Sequence, residues 1–354
     1  MGHWYTSREA VKNAAGIEGS AANAIVDLAI EAASRRIDGD CRQWFIPITE
    51  TRKYDARHPT LRGRFLTLDA PLISISAFTD QGDEAVAVAS TEYRLLSENH
   101  GVPYHTLELL LDVTDSAFAA DPDTHQQSLR ITGLWGAAND TISAGDVGSN
   151  QDGSETTLVV TDGSSVEVGD SLLIGSEQEL VTNRTDADLG INTNGSTGAM
   201  DADKTDKTLT LASAPTDPVK VGEVLRIGSE RMLVEAINTT TSFEVERAHD
   251  GTTLAAHSTG DDVFIFRTFT VERNANGSTV ATHSDGATIT RYRAPIEIAN
   301  YCLALAVSEF HQARAGYGRT IGVSEGQQEF RGTYLKSLRD LAINPHRRYL
   351  LASF

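Results

Sequence analysis

Few residues in this 354-residue chain have the types and spacing that catalysis would need. Gly322-Val323-Ser324-Glu325-Gly326 has the form G-x-S-x-G, which in hydrolases sets a nucleophilic Ser on a sharp turn from strand to helix, with an acid and a His following. Here a long apolar helical pattern and a Gly-rich stretch precede it. His346 follows, but no acid is placed between them, so a loop between helices is expected and not a nucleophile. Asp201-Ala202-Asp203-Lys204-Thr205-Asp206 spaces carboxylates as a hard-cation loop would. It lacks the central Gly and terminal Glu of such loops, and Lys204 and Lys207 oppose a cation, so a solvated loop is expected. The two cysteines, Cys41 and Cys302, belong to no CxxC pair or Cys/His cluster, which argues against structural zinc. Both are expected to be reduced. No GK(S/T) phosphate loop, HExxH or GxGxxG before a helix is present. The chain reads as a non-enzyme with no catalytic, cofactor or metal residues.

The remaining candidate is a docking segment. Asn344-Pro345-His346-Arg347-Arg348-Tyr349 is basic in a protein of net charge −19. Paired Arg can grip carboxylates in bidentate fashion, and Tyr offers a rigid apolar face, a combination suited to a partner's groove. The overall charge argues against a surface that grips nucleic acid, because neutralising phosphates needs clustered Lys and Arg. DNA could still pass nearby. Apolar residues make up 40% of the chain, enough for globular cores at a length that usually gives two or three domains. No run approaches a membrane span, and the N-terminus lacks signal-peptide character, so a cytoplasmic product without membrane contact is expected.

The elements that would position these residues begin with a capping box at Thr6-Ser7-Arg8-Glu9 and a short helix to Gly16. Ser20 caps a longer helix, with Val26, Ala29, Ile30, Ala33 and Ile37 on one face and Gly39 at its end. Strand patterns follow at Trp44 to Tyr54, Arg64 to Leu68, Leu72 to Phe78, Leu107 to Leu111 and Ser128 to Leu134, predicting a small sheet. Residues 138–157 turn to Gly, Ser, Asn, Asp and Thr and read as a linker. β-type sequence then runs to Arg293. Pro295 opens a third helix to Ala315, apolar around most of its circumference. Ile298, Cys302, Leu305 and Phe310 in it are expected at a bundle core or subunit interface. Gly316 and Gly318 should end it, and a last helix from Phe330 to Ala342 should stop at Asn344-Pro345.

The β-type region repeats itself. Phe243-Glu244-Val245-Glu246-Arg247 through His257-Ser258 returns 26 residues later as Phe269-Thr270-Val271-Glu272-Arg273 through His283-Ser284. Val168-Gly169-Asp170 through Ile174-Gly175-Ser176-Glu177 returns 53 residues later as Val221-Gly222-Glu223 through Ile227-Gly228-Ser229-Glu230. The two offsets disagree, so the copies are not in simple tandem. A nested arrangement is expected, in which one unit (158–185 with 268–293) is interrupted by its twin (207–267). His257 and His283 hold equivalent places. A turn-stabilising hydrogen bond explains their duplication better than a metal pair.

With the β region set aside, the ends of the chain read as one unit. Ala32-Ala33-Ser34 with Ile37, Cys41, Arg42 and Phe45, then Arg130-Ile131-Thr132-Gly133-Leu134-Trp135-Gly136, then the third helix, and finally Ile343 to Tyr349, resemble in order the head–tail connector, or adaptor, proteins of tailed bacteriophages. The resemblance covers residues 1–136 and 294–354. It implies a helical connector body with a small strand region, and the chain departs from the family by carrying after Gly136 an inserted all-β region of two similar nested units, for an α+β fold overall. It further implies a ring-forming virion protein of the neck, a homododecamer between capsid and tail. Residues 344–349 would dock on the portal protein, a head-completion or tail protein would lie below, and DNA would pass unheld through the lumen during genome ejection. The β units are expected to project from the helical body. A surface or extracellular module binding carbohydrate or another protein through the β units is the rival expectation, weakened by their scarcity of Trp and Tyr.

Overall fold

The structure, a computed structural model, describes residues 3–56, 61–96, 101–110, 118, 120–315, 320–321, 328–329 and 332–347. In chain order the elements are α1 (Arg8–Ala15), α2 (Asn23–Cys41), β1 (Ile48–Tyr54), β2 (Leu61–Arg62), β3 (Phe65–Asp80), β4 (Val86–Ala87), β5 (Tyr93–Leu96), β6 (Tyr104–Leu109), β7 (Leu129–Trp135), β8 (Asp140–Asp146), β9 (Thr157–Val159) and β10 (Ser171–Ile174). They continue with β11 (Glu177–Asn192), β12 (Thr208–Thr210), β13 (Val224–Ile227), β14 (Glu230–Ile237), β15 (Ser242–Glu246), β16 (Asp262–Glu272), β17 (Thr288–Arg293), α3 (Ile296–Arg314), β18 (Thr320–Ile321), β19 (Gln328–Glu329) and α4 (Gly332–His346).

The protein is mostly β, which overturns the expected helical connector body. A seven-stranded antiparallel sheet in the order β1-β7-β3-β6-β5, with β2 and β4 added to β3, occupies the N-terminal part, and a ten-stranded sheet follows. The first sheet was underestimated because its longest strand looks broken in sequence. Asp69-Ala70-Pro71 separates two short apolar runs, yet β3 passes through them as one strand, with a register shift against β6 between Thr67 and Leu72. A bulge is where a Pro, lacking an amide donor, can sit within a sheet. β7 alternates buried and half-buried positions along its length. Its Gly133 is required by contact: a Cβ there would lie 2.1 Å from the Ser74 carbonyl oxygen of β3. Leu66, Leu68, Leu107, Ile131 and Trp135 form this sheet's own core.

The helices share a separate core in which α1 and α2 from the start of the chain meet α3 and α4 from its end. Val11, Ile30, Ile37, Phe45, Ile298, Cys302 and Phe310 are buried together. Burying an Ile, Leu or Phe side chain contributes about 1.5–3 kcal/mol, so this face holds the two ends together without any covalent link. Local ends differ from the sequence signals. Ser7, one residue beyond Thr6, is the N-cap of α1 and accepts from the Ala10 amide, while Glu9 turns outward to the Val168 amide. In α2 the helix starts after Ala22 without a side-chain cap and runs past Gly39 to Cys41, where Arg42 takes the left-handed conformation. Pro345 does not stop α4, which includes it.

The ten-stranded sheet carries the repeat, with two cores. One contains Ala144, Val147, Leu158, Val168, Leu172, Ile174, Phe269, Val271 and Ile289; the other contains Met200, Leu209, Leu225, Ile227, Met232, Val234, Phe243 and Val245. Strands β11 and β16 cross between them. Residues Leu180 and Val181 of β11 pair with Glu272 and Val271 at the first core, whereas Ala187 and Asp188 pair with Ile265 and Phe264 towards the second. The chain thus leaves the first unit on β11, builds the second, and returns on β16. Residues 138–157 are no linker: β8 pairs with β17, and Ala144 and Val147 fill the first core. Their Gly and Ser content concealed two buried apolar positions, Ala144 within β8 and Val147 just beyond it.

The β units do not project freely. The amide of Arg8 donates to the Val168 carbonyl at 3.0 Å, the Val168 amide donates to Glu9 Oε2 at 2.9 Å, and Lys12 pairs with Asp250 at 2.8 Å. Helix α1 therefore ties both units to the helical core. Burial and the neighbouring Glu167 raise the Glu9 carboxyl at this junction.

Candidate functional site

The repeat builds two buried ion clusters on one plan. In the second unit, the Gly228 turn between β13 and β14 delivers Glu230 into the interior, fully buried. Arg247, at the end of β15, reaches it with a bidentate pair, Nε to Oε1 at 2.8 Å and Nη2 to Oε2 at 2.9 Å. The amides of Ala248 and Ala255 donate to the same carboxylate at 2.9 and 3.0 Å, and His257 Nε2 donates at 2.8 Å. Arg247 spends its remaining donors on the carbonyls of Asp201, Asp206 and Ala255. Burial would raise the Glu230 carboxyl, but Arg247, the Ala255 amide and His257 hold it down at about 2. This cluster pins a turn that contains two non-glycine residues in the left-handed region, Ala248 and Asp250.

The first unit repeats each contact. Glu177 takes Nε and Nη2 of Arg273, both at 2.8 Å, the amides of Asn274 and Ala281, and Nε2 of His283 at 3.0 Å. Its carboxyl too is raised by burial and brought down to about 2 by Arg273 and the Ala281 and Asn274 amides. Asn274 and Asn276 hold the left-handed positions. His257 and His283 therefore each anchor the Glu of their own unit. The Asp201–Asp206 loop is a turn closed by its own carboxylates, with Asp206 accepting from the Asp201 amide at 2.7 Å, and clamped by Arg247.

The first cluster has one more member. Glu179 lies opposite Leu172 on β10, where the twin has Met232 opposite Leu225 on β13. Gln151 pairs with His283 across an isolated bridge, where the twin has Met200 pairing with His257. Two buried methionines are thus replaced by a carboxylate and an amide. Glu179 is fully buried, and neither carboxylate oxygen accepts a hydrogen bond. Arg273 Nε is 2.9 Å from Glu179 Oε1, but its single N–H is directed to Glu177. Burial raises the Glu179 carboxyl, Arg273 opposes, Glu177 adds to the rise, and the result is about 7. Ligand atoms of Glu177, Glu179 and His283 all lie within 4.8 Å of one another, an arrangement with the dimensions of a metal site.

Sequence reasoning quoted Glu177, Glu230, Arg247 and Arg273 only as members of the repeat, without a role, and did not single out Glu179. The signal was present in the two copies, which share GSE, VER and AxHS and differ at Glu179 against Met232.

The predicted docking residues fall at the end of α4. Asn344 and Pro345 are exposed, and His346 is held, with Nε2 2.8 Å from Glu297 Oε1 and its ring edge-on to Phe45 at 5.3 Å. Gln43 donates to the His346 carbonyl at 2.6 Å. Arg347 is exposed. Arg348 and Tyr349 lie outside the described residues, as do Gly316, Gly318 and the whole of Gly322 to Gly326 with Ser324. Ile298, Cys302, Leu305 and Phe310 are buried in the chain's own helical core. Burial pushes the Cys302 and Cys41 thiols up to about 12, which makes both poor nucleophiles. Both cysteines are free thiols. No helix among the described residues is long and apolar enough to cross a membrane.

Compared with known proteins, the chain matches no family model, and no curated protein or solved structure is significantly similar to it.

Proposed function

We propose that this chain is a structural virion protein, a ring-forming head–tail adaptor that joins a portal to a tail while DNA passes through its lumen. The reading rests on the motifs at the two ends of the chain and on one observation that connects them. Helices α1 and α2 from the first end and α3 and α4 from the last share a single core, and the C-terminal segment is fastened to it at His346, directly before the paired Arg. A segment tethered at its root presents Arg347 from a fixed point, with Arg348 next to it in sequence, which lowers the ordering cost of docking.

Further features support assembly from copies. Leu28, Ile296, Tyr334 and Leu341 are large apolar side chains left exposed on the outer faces of the helices. Such side chains are suited to heterologous contacts repeated around a closed axis. The face of α3 carrying Ile298, Cys302, Leu305 and Phe310 is already spent inside the chain, so ring contacts fall to these outer residues. A net charge of −19 suits a channel wall that DNA slides past.

The test is particle mass by native mass spectrometry, alone and with portal protein. A closed ring, expected to be a dodecamer, that binds the portal supports the reading. A protein that stays monomeric under both conditions overturns it. Replacing Arg347 and Arg348 with Glu should abolish portal attachment and leave the chain folded; normal attachment would remove the docking role from this segment.

A further inference from the structure

The two β units share a fold and an ion cluster but not a charge balance. In the second unit one carboxylate, Glu230, meets one guanidinium, Arg247, and the count closes. In the first, Glu177 and Glu179 share one guanidinium, Arg273, and one imidazole, His283, so this cluster holds one carboxylate more than its twin. Glu177 and Glu179 have no solvent exposure, Gln151 has 2% and His283 has 6%. A charge so deep in the protein has to be neutralised, because an uncompensated buried carboxylate costs several kcal/mol.

The twin also shows what the fold itself requires. Glu230, Arg247 and His257 suffice to close the turn of the second unit, and Met200 and Met232 fill the space beside them. Glu177, Arg273 and His283 do the same in the first unit. Glu179 and Gln151 are therefore surplus to folding, and three of their oxygens, Glu179 Oε1 and Oε2 and Gln151 Oε1, accept no hydrogen bond. The Gln151 side-chain amide faces Glu179 and lowers its carboxyl, and its nitrogen also donates to the Thr157 carbonyl at 3.3 Å. His283 Nε2 lies 3.6 Å from Glu179 Oε1.

We propose that the first β unit binds a divalent transition-metal ion through Glu179, with His283 and Glu177 completing the protein donor set and Gln151 positioning Glu179, and that the second unit has lost or never had this site because Met232 and Met200 stand in the corresponding places. Carboxylate oxygens with one imidazole nitrogen suit zinc or manganese, whereas calcium and magnesium prefer all-oxygen shells. Coordination by His283 takes the tautomer protonated on Nδ1, so Nε2 gives up its hydrogen bond to Glu177 for the metal, and Glu179 binds as the carboxylate, so metal uptake releases any proton it carries. Arg273 stays with Glu177 and keeps the turn closed whether or not metal is bound.

The test uses the full chain stripped with a chelator and titrated with ZnCl2 or MnCl2, read by calorimetry, metal content and melting temperature. One equivalent of Zn2+ or Mn2+ per chain should bind and raise the melting temperature. Glu179→Met, which installs the twin's residue, should abolish binding, and the variant should melt no lower than the metal-free parent. Gln151→Met should weaken binding about tenfold or more. His257→Gln, in the second unit, should leave the stoichiometry unchanged. Absence of saturable binding by the parent would overturn the proposal and leave a proton as the ion that neutralises Glu179. Undiminished binding by a folded Glu179→Met variant would overturn it equally.

Discussion

The two β units are the same structure solved twice with different interiors. Both bury a Glu under a left-handed turn and satisfy it with a bidentate Arg, two amides and a His. Beside that cluster one unit packs methionine and the other a carboxylate and an amide. The shared part is what the turn requires, since a buried carboxylate without these donors could not be tolerated. The part that differs is free of that requirement, and a polar residue placed where an apolar one serves needs another explanation.

The comparison can be broken most severely at the Arg. Arg247→Ala should cost about 3–5 kcal/mol, because Glu230 would be left buried with no counter-charge. Arg273→Ala should cost more, because two carboxylates would then face each other. Urea unfolding of the two variants side by side reads the difference, and equal losses would mean that Glu179 is already neutral in the parent.

A swap of interiors sharpens it. In metal-free protein Glu179→Met should stabilise by about 1–3 kcal/mol, since it removes a buried acceptor left unpaired. Met232→Glu should destabilise by at least as much, having no Gln beside it. A stabilising Met232→Glu would show that the second unit can accommodate the charge unaided.

A third contrast concerns pH. Glu223 of the second unit takes a bidentate pair from Arg267 at 2.6 and 2.8 Å. Its counterpart Asp170 accepts from the Glu167 amide at 2.9 Å, has Arg291 as its cation at 3.3 Å, and is faced by the carboxylates of Glu167 and, from α1, Glu9. Burial raises Asp170 to about 7, with Arg291 opposing and Glu167 adding to the rise. A carboxyl raised in the folded state favours folding while protonated. Stability should therefore fall by about 1–3 kcal/mol as pH rises from roughly 4 to 7 and level off above, with Glu9 and Glu179 acting in the same direction. Asp170→Asn should reduce that slope in thermal melts between pH 4 and 8, and adding Glu179→Met should flatten it; a slope unchanged by Asp170→Asn would assign the effect to Glu179 and Glu9.

The smallest effect belongs to the turns. Ala248 in the second unit has φ 55°, where the first unit has Asn274. Ala248→Gly should stabilise by about 0.5–1 kcal/mol, because Gly adopts this conformation without Cβ strain. A loss of stability would mean that the methyl group contributes packing.

The duplication and its nesting were legible before any coordinates, because two repeats with unequal offsets leave few ways to connect the chain. Helices α2 and α3 were legible from their apolar spacing, and their ends were less so: Gly39 lies inside α2, and Pro345 inside α4. The proportion of strand was misread where turn-like composition hid pairing. Asp69-Ala70-Pro71 sits in the bulge of a continuous strand, and the Gly- and Ser-rich residues 138–157 supply β8 and two core positions. Local composition reports propensity, and sheet pairing is settled by distant partners that composition does not contain.

The amino-acid order determined that Glu177, Arg273 and His283 would recur as Glu230, Arg247 and His257, and that Glu179 would stand where its twin has Met232. Only the fold decided that these residues, separated by about a hundred positions in the first unit and by fewer than thirty in the second, would meet in an interior without solvent. The physical reason is that a charge has consequences only through its surroundings. On an exposed strand Glu179 would be one more acidic residue among 49 Asp and Glu, but beside Glu177 and out of reach of water it is an ion that needs a partner.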